Sequence, residues 1–209
     1  MVMVVGNPQP PGDAVKAAYD VASPMLDALA MEHDQPLPVC QRVVVGIPSG
    51  IIKLFVPKPQ RSVTITEASM LRPRYDVPAL LEAVALYREA VSSNNPFHQF
   101  LTLWKAYENA SAVRGEWHKK NKRRDLRLSP EQFPPMFAWS NLSGKAFDRA
   151  KQQLNDPYRI ALAHGVVRGG RPRTGATSED VSSVAAQVPV IRYMARVTIE
   201  NVRKTFLEG

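Results

Sequence analysis

The change of apolar period at Pro78 constrains this chain more than any other feature. Leu80, Leu81, Val84, Tyr87 and Val91 recur every three to four positions, the spacing of one helix face. Asn95-Pro96 then opens a second helix, with asparagine as N-cap and proline as its first residue. Phe97, Phe100, Leu101, Trp104 and Glu108 fall on its neighbouring turns, and it is expected to continue into Arg114–His118. Gly144–Leu154 reads as another helix, broken or kinked at Asp156-Pro157. Ile191, Met194, Ala195, Thr198, Val202 and Phe206 line one face of a long last helix. Between them, Ser129-Pro130 and Pro134-Pro135 mark a linker, and residues 168–180 read as a loop. The stripes predict an antiparallel helical bundle over 78–209, with Phe100, Leu101, Trp104, Met194 and Val202 in its core.

Upstream of Pro78 the pattern differs. Residues 1–12, with Gly6, Pro8, Pro10, Pro11 and Gly12, read as a mobile lead-in. Residues 13–33 hold a short helical patch that Pro36 and Pro38 end. Arg42–Ile47 and Ile51–Val56 read as strands around Pro48-Ser49-Gly50, and Ser62–Thr66 as a third. Three short strands are marginal alone and should pack on the segments downstream of them. The expected class is therefore α+β, mostly α. A β-containing module fills 1–68 and a helical bundle fills 69–209.

The composition, 44% hydrophobic, provides for a real core, and no apolar run approaches the roughly 18 residues of a membrane span. The opening Met1–Gly6 is too short for a signal peptide and lacks a basic leader. The lone Cys40 forbids an internal disulfide, which agrees with a reducing cytoplasm. His33, His98, His118 and His164 show no close ligand spacing, so neither zinc nor another cofactor is expected. Gly46–Gly50 lacks the Gly-Lys-Ser/Thr ending of a phosphate loop, and no Gly-x-Ser-x-Gly elbow occurs. Net charge is +8 and uneven: residues 1–68 carry five basic against six acidic side chains, and 69–209 carry 22 against 13. A basic region behind a near-neutral one points to polyanions, while a solubility surface is the bland alternative.

The stretch Asp156-Pro157-Tyr158-Arg159-Ile160-Ala161-Leu162-Ala163-His164-Gly165 carries the strongest chemical signal. Asp156 reads as an N-cap, Pro157 as the first helical residue and Gly165 as a stop. His164 then sits at a helix C-terminus, where the dipole favours the protonated imidazole. A fixed arginine and a titratable histidine suit chemistry on a phosphate. Five residues place the two side chains roughly 140° apart on a straight helix, which favours a site completed by a second copy. Pro157, two residues before Arg159, is expected to rebuild the helix locally.

Arg114–Arg127 holds seven basic residues against Glu116 and Asp125. Lys119, Lys120, Lys122, Arg123 and Arg124 are its densest part, with Trp117 and His118 just before, and Arg168, Arg171 and Arg173 extend the positive character beyond His164. These are the candidate phosphate contacts; a solvated face is the plain alternative. Phe100, Trp104 and Tyr107 read as core. Glu108 can pair with Arg159 and orient it. His98 reads as a cap or surface residue.

Arg159-x4-His164-Gly165 late in a helical bundle resembles the signature of the HEPN superfamily. The wider frame, Asn95–Leu101 followed by Trp104–Glu108, is similar to bacterial methylamine-utilisation protein J-like proteins. The resemblance covers roughly 69–209. It implies a metal-independent endoribonuclease acting as a homodimer, a toxin or defence effector in the cytoplasm. Arg159 would hold the scissile phosphate and His164 would transfer protons. RNA supplies its own 2′-hydroxyl nucleophile. Polar residues commonly follow the arginine in such proteins, and here Ile160 does. The partners implied are RNA, a second copy and an antitoxin or defence protein, with no membrane. The alternative is a non-catalytic helical module that dimerises or docks a partner.

Overall fold

The computed structural model describes residues 2–5, 11–34, 36, 41–44, 51–55, 78–121, 132–164 and 177–208. The chain forms two compact units, Met1–Ser92 and Ser93–Gly209.

In the first unit, helix α1 (Pro11–His33) packs on α2 (Pro78–Ser92). Leu26, Leu29, Ala30 and Met31 of α1 are buried. So are Leu80, Val84, Tyr87 and Val91 of α2, the stripe read from the sequence. Leu81, also expected on that stripe, is instead 37% exposed. Three short strands, β1 (Val2–Val5), β2 (Gln41–Val44) and β3 (Ile51–Phe55), pair antiparallel in the order β1-β3-β2, with Val4 opposite Ile52 and Val43 opposite Lys53.

The expected α+β class is corrected by this arrangement: the fold is a helical bundle. Helices make up most of the described chain, and among the described residues there is no separate β module, since the strands belong to the same unit as α1 and α2. The strands are only four and five residues long, and so short a sheet is marginal by itself. The expected short helical patch is a 23-residue helix with Pro24 on an exposed face. Its apolar stripe is buried and it packs on α2 within the first unit. Ser62–Thr66 lies outside the described residues.

The second unit begins at the expected cap. Asn95 Oδ1 accepts from the backbone N–H of Phe97 at 2.9 Å and of His98 at 3.3 Å, and α3 (Pro96–Asn121) runs on from there. A 3₁₀ helix (Pro135–Ser140) leads to α4 (Phe147–Leu154). A π-helical turn (Asn155–Ile160) joins α4 to α5 (Ala161–His164), and the 31-residue α6 (Ser178–Glu208) closes the unit. Residues 178–180, expected in a loop, are its first turn, opened by Thr177, whose Oγ1 accepts from Asp180 N–H at 3.2 Å. The two long helices pack on each other, with Phe100, Leu103, Trp104 and Ala106 of α3 and Ile191, Met194, Ile199 and Val202 of α6 all buried. Leu101, expected in the core, is only half-buried, because the stripe runs through Leu103 instead.

The rod from α4 to α5 begins beside Tyr107 and Tyr193 and, at Tyr158, lies beside Phe100 and Ser183. It therefore runs antiparallel to α3 and α6, which run parallel to each other. The uniformly antiparallel bundle expected from the sequence is corrected accordingly. The rod occupies the return path between them.

Candidate functional site

Arg159 sits on the π turn. Pro157 has no N–H for the i→i−4 ladder, and its ring would clash within a regular α-helix. The wider i→i+5 turn accommodates both defects, and such turns recur at functional positions. The helix thus continues through Asp156-Pro157 in widened form and does not start again there. Asp156 is no N-cap; its Oδ1 accepts from Asn155 Nδ2 at 2.8 Å.

Tyr158 holds the turn in place. Its ring lies 5.8 Å from Phe100 of α3, and its hydroxyl shares a 3.3 Å hydrogen bond with Ser183 of α6. Phe100 in turn stacks on Trp104 at 6.0 Å, and Trp104 meets Tyr107 edge-on at 6.2 Å. Phe100, Trp104 and Tyr107 are buried, as expected of core residues. Arg159 is half-buried on this fixed turn. His164 is the last residue of α5. One continuous rod therefore carries both residues.

Glu108 makes no ion pair with Arg159 among the described residues. It acts on Tyr107 instead. Burial pushes the Tyr107 phenol above its ordinary range; a hydrogen bond with Ser111 lowers it, Asp148 raises it, Arg114 lowers it and Glu108 raises it. Lys151 Nζ lies 5.8 Å from the centre of the same ring. Lys119 and Lys120 fall on the last turn of α3. Lys122, Arg123, Arg124, Arg168, Arg171 and Arg173 lie outside the described residues. His98 is exposed, with Nε2 3.5 Å from Thr102 Oγ1.

Residues 83–200, more than half of the chain, match the family described as Methylamine utilization protein MauJ. The chain belongs to the MauJ family. Neither the curated proteins nor the solved structures compared with it contain a match.

Two further features of this MauJ-family chain escaped the sequence reading. The first is a surface groove of about 460 Å³ on α6, lined by Tyr193, Arg196, Asn201 and Lys204 together with Gln132. Tyr193 is the wall, held by Phe137 at 5.1 Å, Phe133 at 5.7 Å and Phe147 at 5.9 Å. Phe133 is fixed by Gly144, which donates its N–H to the Phe133 carbonyl at 2.8 Å, with φ +72 that favours glycine. The available signal was the polar stripe 193, 196, 200, 201, 204, interrupted by Val197 and opposite the apolar one.

The second lies between α1 and α2. Arg88 Nε contacts Asp27 Oδ1 at 2.7 Å, and Arg88 Nη2 donates to Ser23 Oγ at 3.1 Å. The Tyr87 hydroxyl donates to Asp34. Burial raises the Asp27 carboxyl to about 6 although Arg88 pulls it down. A charge pair this enclosed fixes helix register more than it adds stability. Among the described residues, Arg88 Nη1 and Ser92 Oγ are buried without a hydrogen-bond partner.

Among the described residues, no cluster of three or more His, Cys, Asp or Glu comes together, and no helix is long and apolar enough to cross a membrane.

Proposed function

We propose that this MauJ-family protein binds RNA and that the rod carrying Arg159 and His164 is its phosphate-directed site, in the manner of HEPN ribonucleases. The observation that carries this reading is the π turn: it presents a half-buried arginine on a backbone anchored to both long helices. An arginine on a backbone anchored in that way offers a permanent forked donor to phosphate oxygens. His164, five residues on, is suited to move the proton of the attacking 2′-hydroxyl or the leaving 5′-oxygen. The net charge of +8 supplies long-range attraction for a polyanion. Two copies would place two such pairs about one cleft. Cleavage of cellular RNA would suit a toxin or defence effector.

The test is binding and cleavage of single-stranded RNA in EDTA by the full chain, by Arg159→Ala and by His164→Ala. The reading expects His164→Ala to bind but not cleave, and Arg159→Ala to lose cleavage. RNA binding without cleavage by the parent would remove the catalytic part. Absence of binding would remove the whole.

A second reading, a docking or dimerisation module, draws on Met136 and Trp139. They are 73% and 53% exposed on the 3₁₀ helix, and Trp139 packs against Phe137 at 6.2 Å. Exposed large apolar side chains on a rigid support are typical of interaction surfaces.

A further inference from the structure

The groove on α6 combines three kinds of chemistry in one place. Tyr193 is an aromatic wall with little freedom, since three phenylalanine rings hold it. Gln132 and Asn201 each bring a carbonyl acceptor and an amide donor, the pair needed to read a base edge. Arg196 and Lys204 bring positive charge, and Lys204 is exposed. Glu200 also lines the groove, but Arg203 offsets its charge through contacts of 2.8 and 2.9 Å. The net character is cationic. A space of about 460 Å³ lies within the range of small-molecule sites. An aliphatic or acidic guest would waste one part of this set: a carboxylate needs no amide pair, and an apolar ligand needs no cations.

We propose that this groove binds a nucleoside monophosphate unit, with its phosphate toward Lys204 and Arg196 and its base edge toward Gln132 and Asn201. The proposal rests on the RNA-binding reading for its source of nucleotide, a single-stranded RNA, with a free nucleotide as the other source of the same chemistry. It adds a site distinct from the π turn. Tyr158 binds Ser183 in the second turn of α6, whereas the groove starts at Tyr193, ten residues further along the same helix. That separation is roughly 15 Å of helix, a distance a strand of a few nucleotides can span.

The test uses the full chain with a fluorescein-labelled uridine decamer, with UMP alone and with an oligo-aspartate peptide. Anisotropy reads affinity, and NMR reads the side-chain amides of Asn201 and Gln132. The expected result is that UMP and the decamer shift those amides. Lys204→Glu should weaken the decamer about tenfold, as for a lost charged hydrogen bond. It should also reduce the salt slope by roughly 0.7 for one phosphate contact. The double variant Gln132→Ala, Asn201→Ala should keep the salt slope but lose discrimination among homopolymers. Circular dichroism confirms that these surface variants fold. Equal decamer binding by parent and variants, without amide shifts, overturns the groove site and leaves the RNA reading standing. UMP binding without decamer binding keeps the groove as a nucleotide site and overturns the RNA reading. Peptide binding as tight as the decamer, with the same dependence on Lys204, overturns the base contacts. No response to any probe overturns the proposal.

Discussion

The Tyr158 hydroxyl lies 3.3 Å from the Ser183 hydroxyl, and this bond ties the π turn to the longest helix of the protein. Tyr158 directly precedes Arg159, so the backbone that carries the arginine depends on a contact to a distant segment. Tyr158→Phe should cost about 1 kcal/mol, the net worth of one such bond. Tyr158→Ala should cost about 2 kcal/mol or more, since the contact with Phe100 is lost as well. Urea titration gives both values. Hydrogen exchange should rise in 155–164 in the alanine variant while the ends of α3 remain protected.

Asp27 predicts a pH dependence of unusual sign. Its carboxyl is raised from 3.8 to about 6, chiefly by burial and against the pull of Arg88. Between these values the folded chain holds a proton that the unfolded chain has released, so stability falls as pH rises through this window. It then levels off above about pH 6. The contribution is of the order of 2–3 kcal/mol. Denaturation between pH 4 and 7 should show this fall in the parent. Asp27→Asn should lack the fall and be no less stable than the parent at pH 7. Arg88→Met should move the fall to higher pH, because it removes the attraction that favours the ionised form.

Phe133 is the hub of the aromatic cluster, touching Phe137 at 5.3 Å, Phe147 at 4.9 Å and Tyr193 at 5.7 Å. Phe133→Ala should cost about 3–5 kcal/mol. Phe133→Leu should cost markedly less. Thermal unfolding separates the two, and the alanine variant should also loosen the groove wall at Tyr193.

Asn95 should be the stability-sensitive position at the start of α3. Asn95→Ala removes the acceptor for two N–H groups and should cost about 1 kcal/mol, whereas Asn95→Ser should restore most of it. Guanidinium midpoints at constant slope check this.

Much of the helical body is legible from neighbours along the chain. Leu80, Val84, Tyr87 and Val91, the Asn95 cap, and Ile191, Met194 and Val202 are where the stripes put them. Burial of one helix face needs only a three-to-four-residue period, and a cap needs only the next turn. The same reasoning fails at Leu81 and Leu101, which the spacing put on the stripes but which the packed helices leave exposed and half-buried. Arg159 and His164 are visible as a spacing, and the net charge is visible as a count.

The sequence by itself therefore determined where most of the helices beyond Pro78 lie, most of their apolar faces and which residues carry charge. Only the tertiary structure decided which faces meet. It joined α1 to α2 through Asp27 and Arg88, where local propensity suggested a β-containing module. It drew Asp156-Pro157 into a widened turn of one rod, because Tyr158 could reach both Phe100 and Ser183. It left Glu108 beside Tyr107 and away from an ion pair with Arg159. It also assembled Gln132, Tyr193 and Lys204 into a groove. Periodicity acts between neighbours, whereas these pairings arise from competition among many apolar surfaces for the same buried space. That competition is settled only when the whole chain packs.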